Sequence, residues 1–219
     1  MKKALPVTLL LALTGTLPTA QAQSAPPAHA AIESKIAMCI GCHGIRGYQA
    51  SFPEVHKVPM ISGQSAKYIV AALGEYKKGE RKHPTMRAIA ASLSDSDMAE
   101  LAAYYEPLGR DSAPLPEQAA PAAPDVAALL TKGACTSCHG PNFSKPLVEG
   151  YPKLAGQHAD YLYVALKAYQ IEGNPQVGRG NPIMVGQVKQ FSRPELKAIA
   201  NYLASLPTDL HTVPQARLR

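Results

Sequence analysis

Apolar side chains recur at helical spacing in two stretches of the chain, and the two stretches match each other. The shared positions carry Tyr68, Ile69, Ala72, Leu73 and Tyr76 in the first stretch and Tyr161, Leu162, Ala165, Leu166 and Tyr169 in the second. Apolar positions three and four residues apart indicate an amphipathic helix. Gly79 and Gly173 stand where the glycine cap of such a helix belongs. Because the intervals are identical, the pattern also predicts an internal repeat.

A further helix is predicted to close each half. Ser94 with Asp97, and Ser192 with Glu195, have the spacing of a capping box at a helix N-terminus. The apolar positions that follow also correspond, with Met98, Leu101 and Tyr105 in the first half and Leu196, Ile199 and Leu203 in the second. No stretch has a convincing strand pattern. The sequence therefore predicts an all-α fold.

A proline-rich strap separates the halves. Residues 111–124 contain prolines at positions 114, 116, 121 and 124, which favour a semi-rigid, extended tether. We therefore predict two small helical domains in tandem, at residues 23–110 and 125–219. Domains of this size bury limited apolar surface on their own, so a buried cofactor in each would add to the core.

The N-terminus has the pattern of an export signal. Lys2 and Lys3 precede the mostly apolar residues 5–17, and Ala20-Gln21-Ala22 has the small residues that signal peptidase reads. We predict a signal peptide at residues 1–22 and a periplasmic protein, with an uncleaved anchor as the alternative. Cleavage would lower the formal net charge from +6 to +4. No basic run predicts nucleic-acid binding, and no later segment is apolar enough to cross a membrane.

Four cysteines form two identical motifs. The first is Cys39-Ile40-Gly41-Cys42-His43, and the second is Cys135-Thr136-Ser137-Cys138-His139. Cys-x-x-Cys-His attaches c-type haem, because both thiols share one face of a helical turn and can bond the two vinyl groups. The histidine that follows, His43 or His139, then lies next to the iron as its proximal ligand. The motifs predict two covalent haem c groups. The alternatives are a redox dithiol, which needs a βαβ context, and a zinc site, which leaves both histidines unexplained.

The repeat also selects the sixth ligand of each iron. Met86 and Met184 occupy corresponding Pro-x-Met positions, in a loop that we expect before the last helix. Methionine is a usual ligand in electron-carrying cytochromes. Met98 matches Leu196, which indicates a packing role. The alternative is bis-histidine ligation of one haem, with His83 or His56 as the candidate.

Two prolines follow the haem motifs at corresponding places. Pro59 and Pro152 each begin a Pro-x-Ile/Leu-x-Gly-Gln segment. Their carbonyls could accept the second N–H of the proximal imidazole and so hold its orientation. They could equally be simple turn residues.

With these motifs, the sequence resembles the dihaem cytochrome c4 family over nearly all of the predicted mature chain. The resemblance rests on the duplicated haem motif, the duplicated Pro-x-Ile/Leu-x-Gly-Gln segment, the two Pro-x-Met segments and the strap. It implies two class I cytochrome c domains facing each other about a pseudo-twofold axis, with His/Met ligation at both irons. It also implies a periplasmic location and electron delivery toward a terminal oxidase. The first loop, residues 44–58, is longer than its counterpart, which could alter haem exposure.

Three functions compete. The leading hypothesis is a monomeric, non-enzymatic carrier of single electrons from a quinol-oxidising complex to a terminal oxidase, with peripheral membrane association left open. The second is the electron-accepting subunit of a periplasmic dehydrogenase. The third is a dihaem enzyme, such as a peroxidase or a thiosulfate-oxidising cytochrome, which requires an open iron position.

A basic stretch in the first half adds a docking hypothesis. It contains Lys67, Lys77, Lys78, Arg81, Lys82 and Arg87. These side chains could steer an acidic partner. Because acidic residues are interleaved with them, an ordinary solvated helix face is the alternative.

Overall fold

A computed structural model of the chain describes Met1, residues 28–108 and residues 114–214. The predicted signal peptide therefore lies almost wholly outside the described residues. The helices of the first half are α1 Ala28–His43, α2 Ala66–Lys78, α3 Pro84–Ala91 and α4 Asp95–Tyr105. Those of the second half are α5 Pro124–Lys132, α6 Thr136–His139, α7 Ala159–Ala168, α8 Pro182–Val188 and α9 Arg193–Ala204. Four two-residue strands accompany them: β1 Gln49–Ala50, β2 His56–Lys57, β3 Arg81–Lys82 and β4 Gly178–Arg179.

Each half packs its helices around its own core. In the first half α4 contacts both α1 and α2, and the buried residues are Ile36, Ile69, Leu93, Met98, Leu101, Ala102 and Tyr105. In the second half α9 packs against α5 and α7, around a cluster that includes Phe143, Leu162, Phe191, Leu196 and Leu203. The all-α prediction and the internal repeat are confirmed. Met98 lies in the core, as its match with Leu196 predicted.

The capping predictions hold at three of four sites. Ser94 and Ser192 form complete capping boxes with Asp97 and Glu195. Gly79 caps α2 in the left-handed conformation, with φ of 79°. Gly173 does not cap α7, because that helix ends earlier, at Ala168. The short strands were not predicted from the sequence, because two residues are too few to show the alternation of apolar and polar side chains.

Among the described residues, one short ladder and a pair of glutamines join the halves. β3 pairs antiparallel with β4. The Gln64 side chain donates to the Lys153 carbonyl and accepts from the Lys153 N–H, at 3.1 and 3.0 Å. Gln157 binds Met60 in the same way, at 2.9 and 3.1 Å. The two glutamines of the repeat thus make equivalent contacts, each with the backbone of the other half.

The chain after α9 also returns to the first half. The His211 N–H donates to the Ser62 carbonyl at 3.0 Å. Gly63 has φ of 85°, and a Cβ there would lie 2.1 Å from the Asp209 carbonyl oxygen. Glycine is therefore required at this position both by the backbone conformation and by the close approach. Both glutamines and Gly63 therefore serve the contact between the halves, whereas a Cβ at Gly156 would meet Thr208 of its own half.

Candidate functional site

The first cysteine pair lies at the end of α1, and the second lies at α6, the second helix of its half. Cys39 and Cys42 are in the last turns of α1, while Cys135 and Cys138 begin and extend α6. All four are free thiols, partly exposed, and all line one cavity. Burial raises the pKa of Cys39, and it raises the pKa of Cys135 to about 11. A redox dithiol needs a thiol pKa lowered toward neutrality, so these neutral thiols do not suit that alternative.

Each motif histidine is held by a proline carbonyl. His43 Nδ1 donates to the Pro59 carbonyl at 2.7 Å, and His139 Nδ1 donates to the Pro152 carbonyl at 3.1 Å. The hypothesis that these prolines orient the imidazoles is thus confirmed. Burial lowers the pKa of both histidines, and the bonds to the carbonyls offset this only partly. The neutral ring therefore keeps the Nε2 lone pair free to bind a metal.

Met86 and Met184 take equivalent positions on the cavity wall, but in helices rather than in loops. Met86 is the third residue of α3, and Met184 is the third residue of α8. Each helix begins with proline, and the side chain before it, His83 or Asn181, accepts from the methionine N–H at 3.4 or 3.2 Å. Proline at the first position and a capping side chain before it favour a helix start, which the loop prediction overlooked.

The two alternative ligand candidates also line the cavity. His83 caps α3 through Nδ1, so its ligation would cost that capping bond. His56 is buried, its Nδ1 donates to the Glu54 carbonyl at 2.8 Å, and its ring lies 6.3 Å from that of Tyr161 in the other half. Neither histidine has a counterpart in the second half. In the aligned repeat, Asn181 corresponds to His83 and Glu149 corresponds to His56.

All of these side chains line one continuous cavity of about 690 Å³. Apolar residues from both halves form much of its wall, among them Ile69, Leu73, Leu101, Leu162, Leu166 and Leu203. In the described part of the chain, no three His, Cys, Asp or Glu side chains come together as a metal site. The donor set fits c-type haem: paired thiols, an oriented imidazole and a thioether repeat twice around an apolar space. Cys39 and Cys42 would hold one haem, and Cys135 and Cys138 the other.

The structure divides the basic stretch of the docking hypothesis between the surface and the contact between the halves. Arg81 is buried between the halves, at 4% exposure. Lys67 pairs with Glu149 at 2.7 Å, and Lys82 donates to the Asn174 carbonyl at 2.6 Å, so both reach the second half. Lys77 donates to the Leu93 carbonyl. Lys67, Lys77, Lys78 and Arg87 are nevertheless exposed, so only Arg81 is excluded from a docking face, and docking through the others stays a prediction.

Comparisons with known proteins identify the family. The cytochrome c family model matches residues 34–107 and 124–207. The chain is 32% identical to cytochrome c4 of Azotobacter vinelandii, over 94% of this chain and 100% of the relative. It is 33% identical to a Stutzerimonas stutzeri (strain A1501) protein named thiosulfate dehydrogenase electron acceptor, over 77% of this chain and 78% of the relative. The crystal structure of reduced recombinant cytochrome c4 from Pseudomonas stutzeri matches with a TM-score of 0.58 and 27% identity, over 81% of this chain and 98% of that one.

Among the described residues, no helix has both the length and the apolar content to span a bilayer.

Proposed function

The chain belongs to the dihaem cytochrome c4 family of electron-transfer proteins with two covalent c-type haems, and we propose that it carries single electrons from a quinol-oxidising complex to a terminal oxidase in the periplasm. The periplasmic location is supported by the export-signal pattern of residues 1–22. When bound, the haems supply one-electron redox chemistry. The chain supplies attachment, orientation and an apolar enclosure.

We propose that His43 with Met86 would bind one haem iron and that His139 with Met184 would bind the other. Two features support them. The Pro59 and Pro152 carbonyls fix the tautomer and orientation of each imidazole, so that Nε2 is the ligating atom. Both thioethers line the same cavity from equivalent positions at the start of α3 and α8. Thioether ligation raises the haem potential, which suits delivery to an oxidase.

The shared cavity is the single observation that carries the carrier function. Both cysteine pairs, both histidines and both methionines line one space. Two redox groups held in one enclosure can exchange an electron directly. Residues of both halves would also exclude water from the space between them. A carrier needs little more than such a pair and access to its partners.

The equivalence of the two sites favours a carrier over an enzyme. Catalysis on peroxide or a sulfur compound needs an iron position that substrate can occupy, and usually an acid or base beside it. Each half instead offers both a histidine and a methionine. His56 and His83 are the polar groups that break this symmetry on the first side, and His83 already caps α3.

A second function has a specific observation in its favour. One relative, 33% identical, is named as the electron acceptor of thiosulfate dehydrogenase. The same dihaem module would then accept electrons from a periplasmic dehydrogenase in place of a quinol-oxidising complex. The two functions share the cofactors and ligands and differ only in the donor.

The experiment that tests the proposal is a pair of reduction assays with the holoprotein. In the first, membranes that contain the quinol-oxidising complex receive quinol, with the oxidase inhibited, and haem reduction is followed. In the second, purified thiosulfate dehydrogenase and thiosulfate replace the membranes. We expect rapid reduction of both haems in the first assay and reoxidation when the inhibitor is removed. Rapid reduction only in the second assay would replace the proposal with the dehydrogenase function.

A further inference from the structure

The hydroxyl of Tyr105 is a buried polar group without a hydrogen-bond partner in the described part of the chain. Tyr105 is the last residue of α4 and has 6% exposure, and its Oη atom is unpaired among the described residues. A buried hydroxyl left unpaired is costly, because burial removes its hydrogen bonds to water. Such a group in a folded protein therefore calls for an explanation, for example a bound group that accepts its proton.

The ring of Tyr105 has a structural role that its hydroxyl does not share. The ring belongs to the core of the first half and meets the Tyr104 ring edge-on, with 5.1 Å between the ring centres. In the repeat, the two capping boxes align Tyr105 with Leu203, which is buried at the equivalent place in the second half. Packing at this place therefore needs only an apolar side chain, and the hydroxyl has a different purpose.

The hydroxyl lies beside the first cysteine of the first haem motif. Tyr105 and Cys39 both line the cavity, and Cys39 packs against the core cluster that contains Tyr105. Burial raises the pKa of Cys39, and the nearby Tyr105 hydroxyl partly offsets that rise. The Cys39 thiol itself donates to the Lys35 carbonyl over a long distance of 3.9 Å, which leaves the lone pairs of the sulfur open to a donor.

The Tyr105 phenol stays protonated and is therefore a donor. Burial, with Cys39 close by, raises the pKa of Tyr105 above its ordinary value of 10.0, so the neutral O–H form persists at neutral pH. A thioether sulfur has no proton to give and accepts hydrogen bonds weakly. Once the Cys39 sulfur is bonded to a haem, it can accept from this hydroxyl but cannot donate to it.

We propose that the Tyr105 hydroxyl donates a hydrogen bond to the thioether sulfur that Cys39 forms with the first haem, and that this bond raises the potential of that haem. The inference rests on the proposed dihaem function and deepens it, because it identifies a residue that makes the surroundings of the two haems different. In the second half, Leu203 lines the cavity and belongs to the core against which Cys135 packs, and its side chain has no hydrogen to donate.

The direction of this effect follows from the dipole of the hydroxyl. A donated hydrogen turns the positive end of the O–H dipole toward the haem edge. The oxidised haem carries one more positive charge than the reduced haem, so the dipole disfavours the oxidised form and raises the potential. Because the field of a neutral dipole falls more steeply with distance than that of a charge, the second haem should scarcely respond.

The test is a spectroelectrochemical titration of the holoproteins Tyr105→Phe and Tyr202→Phe, with the haem methyl signals of the paramagnetic NMR spectrum assigning each potential to its half. Tyr105→Phe removes a single oxygen and keeps the ring, and we expect the potential of the first haem alone to fall. Tyr202→Phe is the matched control in α9, because the Tyr202 hydroxyl donates to the Ala120 carbonyl at 2.7 Å; neither potential should move. An unchanged first potential in Tyr105→Phe, or equal shifts of both haems, would overturn the proposal.

A second measurement identifies the acceptor and can begin with the wild type alone. The C–S stretching band of the haem thioethers in the resonance Raman spectrum should shift between water and deuterium oxide, and this shift should be absent in Tyr105→Phe. A wild-type band that ignores deuterium oxide would contradict the thioether as acceptor, even if the potential of Tyr105→Phe falls.

The ligation of the irons is followed in the same samples. The sulfur-to-iron charge-transfer band should keep its wild-type intensity in Tyr105→Phe, because the hydroxyl acts on the thioether and not on an axial ligand. Loss of that intensity would overturn the inference by assigning the effect to ligation. Two intact haems with unmoved potentials would count against Tyr105 only, whereas a wild type without two covalent haems would count against the proposed function.

Discussion

The loops that follow the two haem motifs begin and end alike but differ between their ends. From histidine to proline the first spans 16 residues and the second 13. The first loop forms the β1–β2 hairpin and reaches the other half, where the Lys57 N–H donates to Asp160 at 3.0 Å and Glu54 pairs with Lys167. The second loop folds on itself around Asn142, which accepts from two backbone N–H groups and donates to the Pro116 carbonyl in the strap.

The bond that both loops share orients a histidine for the cofactor. The contacts that differ between the loops serve the interface or the packing of one half. The ends of both loops are held by the same imidazole–carbonyl bond beside the cavity. Between those ends, the first loop contacts the other half through its hairpin. The second loop folds mainly around Asn142 and contacts the other half at Glu149, which pairs with Lys67 and accepts from the Ser65 hydroxyl. The two halves should therefore respond alike to changes at the cavity and differently to changes in the loops.

The largest expected effect comes from changing one methionine at a time. Met86→His and Met184→His should each lower the potential of one haem by about 0.1–0.3 V, within the ~0.8 V range that axial ligands span. The measurement is a redox titration resolved for the two haems. Met98→Leu is the matched control, since it installs the residue of the second half in a buried core position and should leave both potentials in place. Equal potentials in wild type and Met86→His would exclude Met86 as a ligand.

The next effect contrasts Phe143 with Gly47, which occupy corresponding positions four residues after the motif histidines. Both have positive φ, at 58° and 72°, but Phe143 is buried at 1% exposure while Gly47 is exposed. Phe143→Ala keeps the strained backbone and loses the packed ring, so we expect a loss of about 3–5 kcal/mol in unfolding free energy. Gly47→Ala should cost only about 1–2 kcal/mol, from the backbone alone. Guanidinium unfolding followed by circular dichroism measures both, and similar losses would refute the contrast.

A smaller effect is expected at the hairpin contact. Asp160→Asn weakens the acceptor of the Lys57 N–H and removes the charge 3.5 Å from Lys57 Nζ. We expect a loss of no more than about 1 kcal/mol in stability, because the pair is partly exposed. Hydrogen exchange should nevertheless accelerate at the Lys57 amide. Asp125→Asn, an exposed change in α5, is the control. Unaltered exchange at Lys57 would mean that Asp160 does not anchor the hairpin.

The smallest effect concerns acid stability. Lys35 pairs with Asp97 and joins α1 to the start of α4, whereas the second half has Thr131 at the position of Lys35. The hydrogen bond from Lys35, helped by those from Ser94, lowers the pKa of Asp97 to about 2. Since the folded-state pKa lies below the ordinary value of 3.8, this stabilisation is present above that value and is lost as the pH falls toward 2. Lys35→Thr should therefore move acid unfolding to slightly higher pH, and an identical acid transition would contradict this.

Much of the fold and of the candidate site follows from the repeat in the sequence. Apolar stripes at helical spacing, capping boxes and the Pro-x-Met segments of Met86 and Met184 are local patterns. Because the chain is duplicated, each of these patterns occurs twice and can be recognised by comparing the halves. The contacts between the halves are different, because the partners of Gln64 and Arg81 lie about 90 residues away and leave no local pattern. For that reason Arg81 was placed in a docking face, and the hairpin of the first loop was not foreseen.

The ligation of the two irons is the central claim, and the sulfur-to-iron charge-transfer band of the oxidised holoprotein tests it most directly. The band arises only where a methionine sulfur binds ferric haem, so its intensity per protein counts such haems. We predict the intensity of two haems in the wild type and of one in either Met86→His or Met184→His. An intensity of one haem in the wild type, unchanged by Met86→His, would show that the first haem has another ligand, such as His83 or His56.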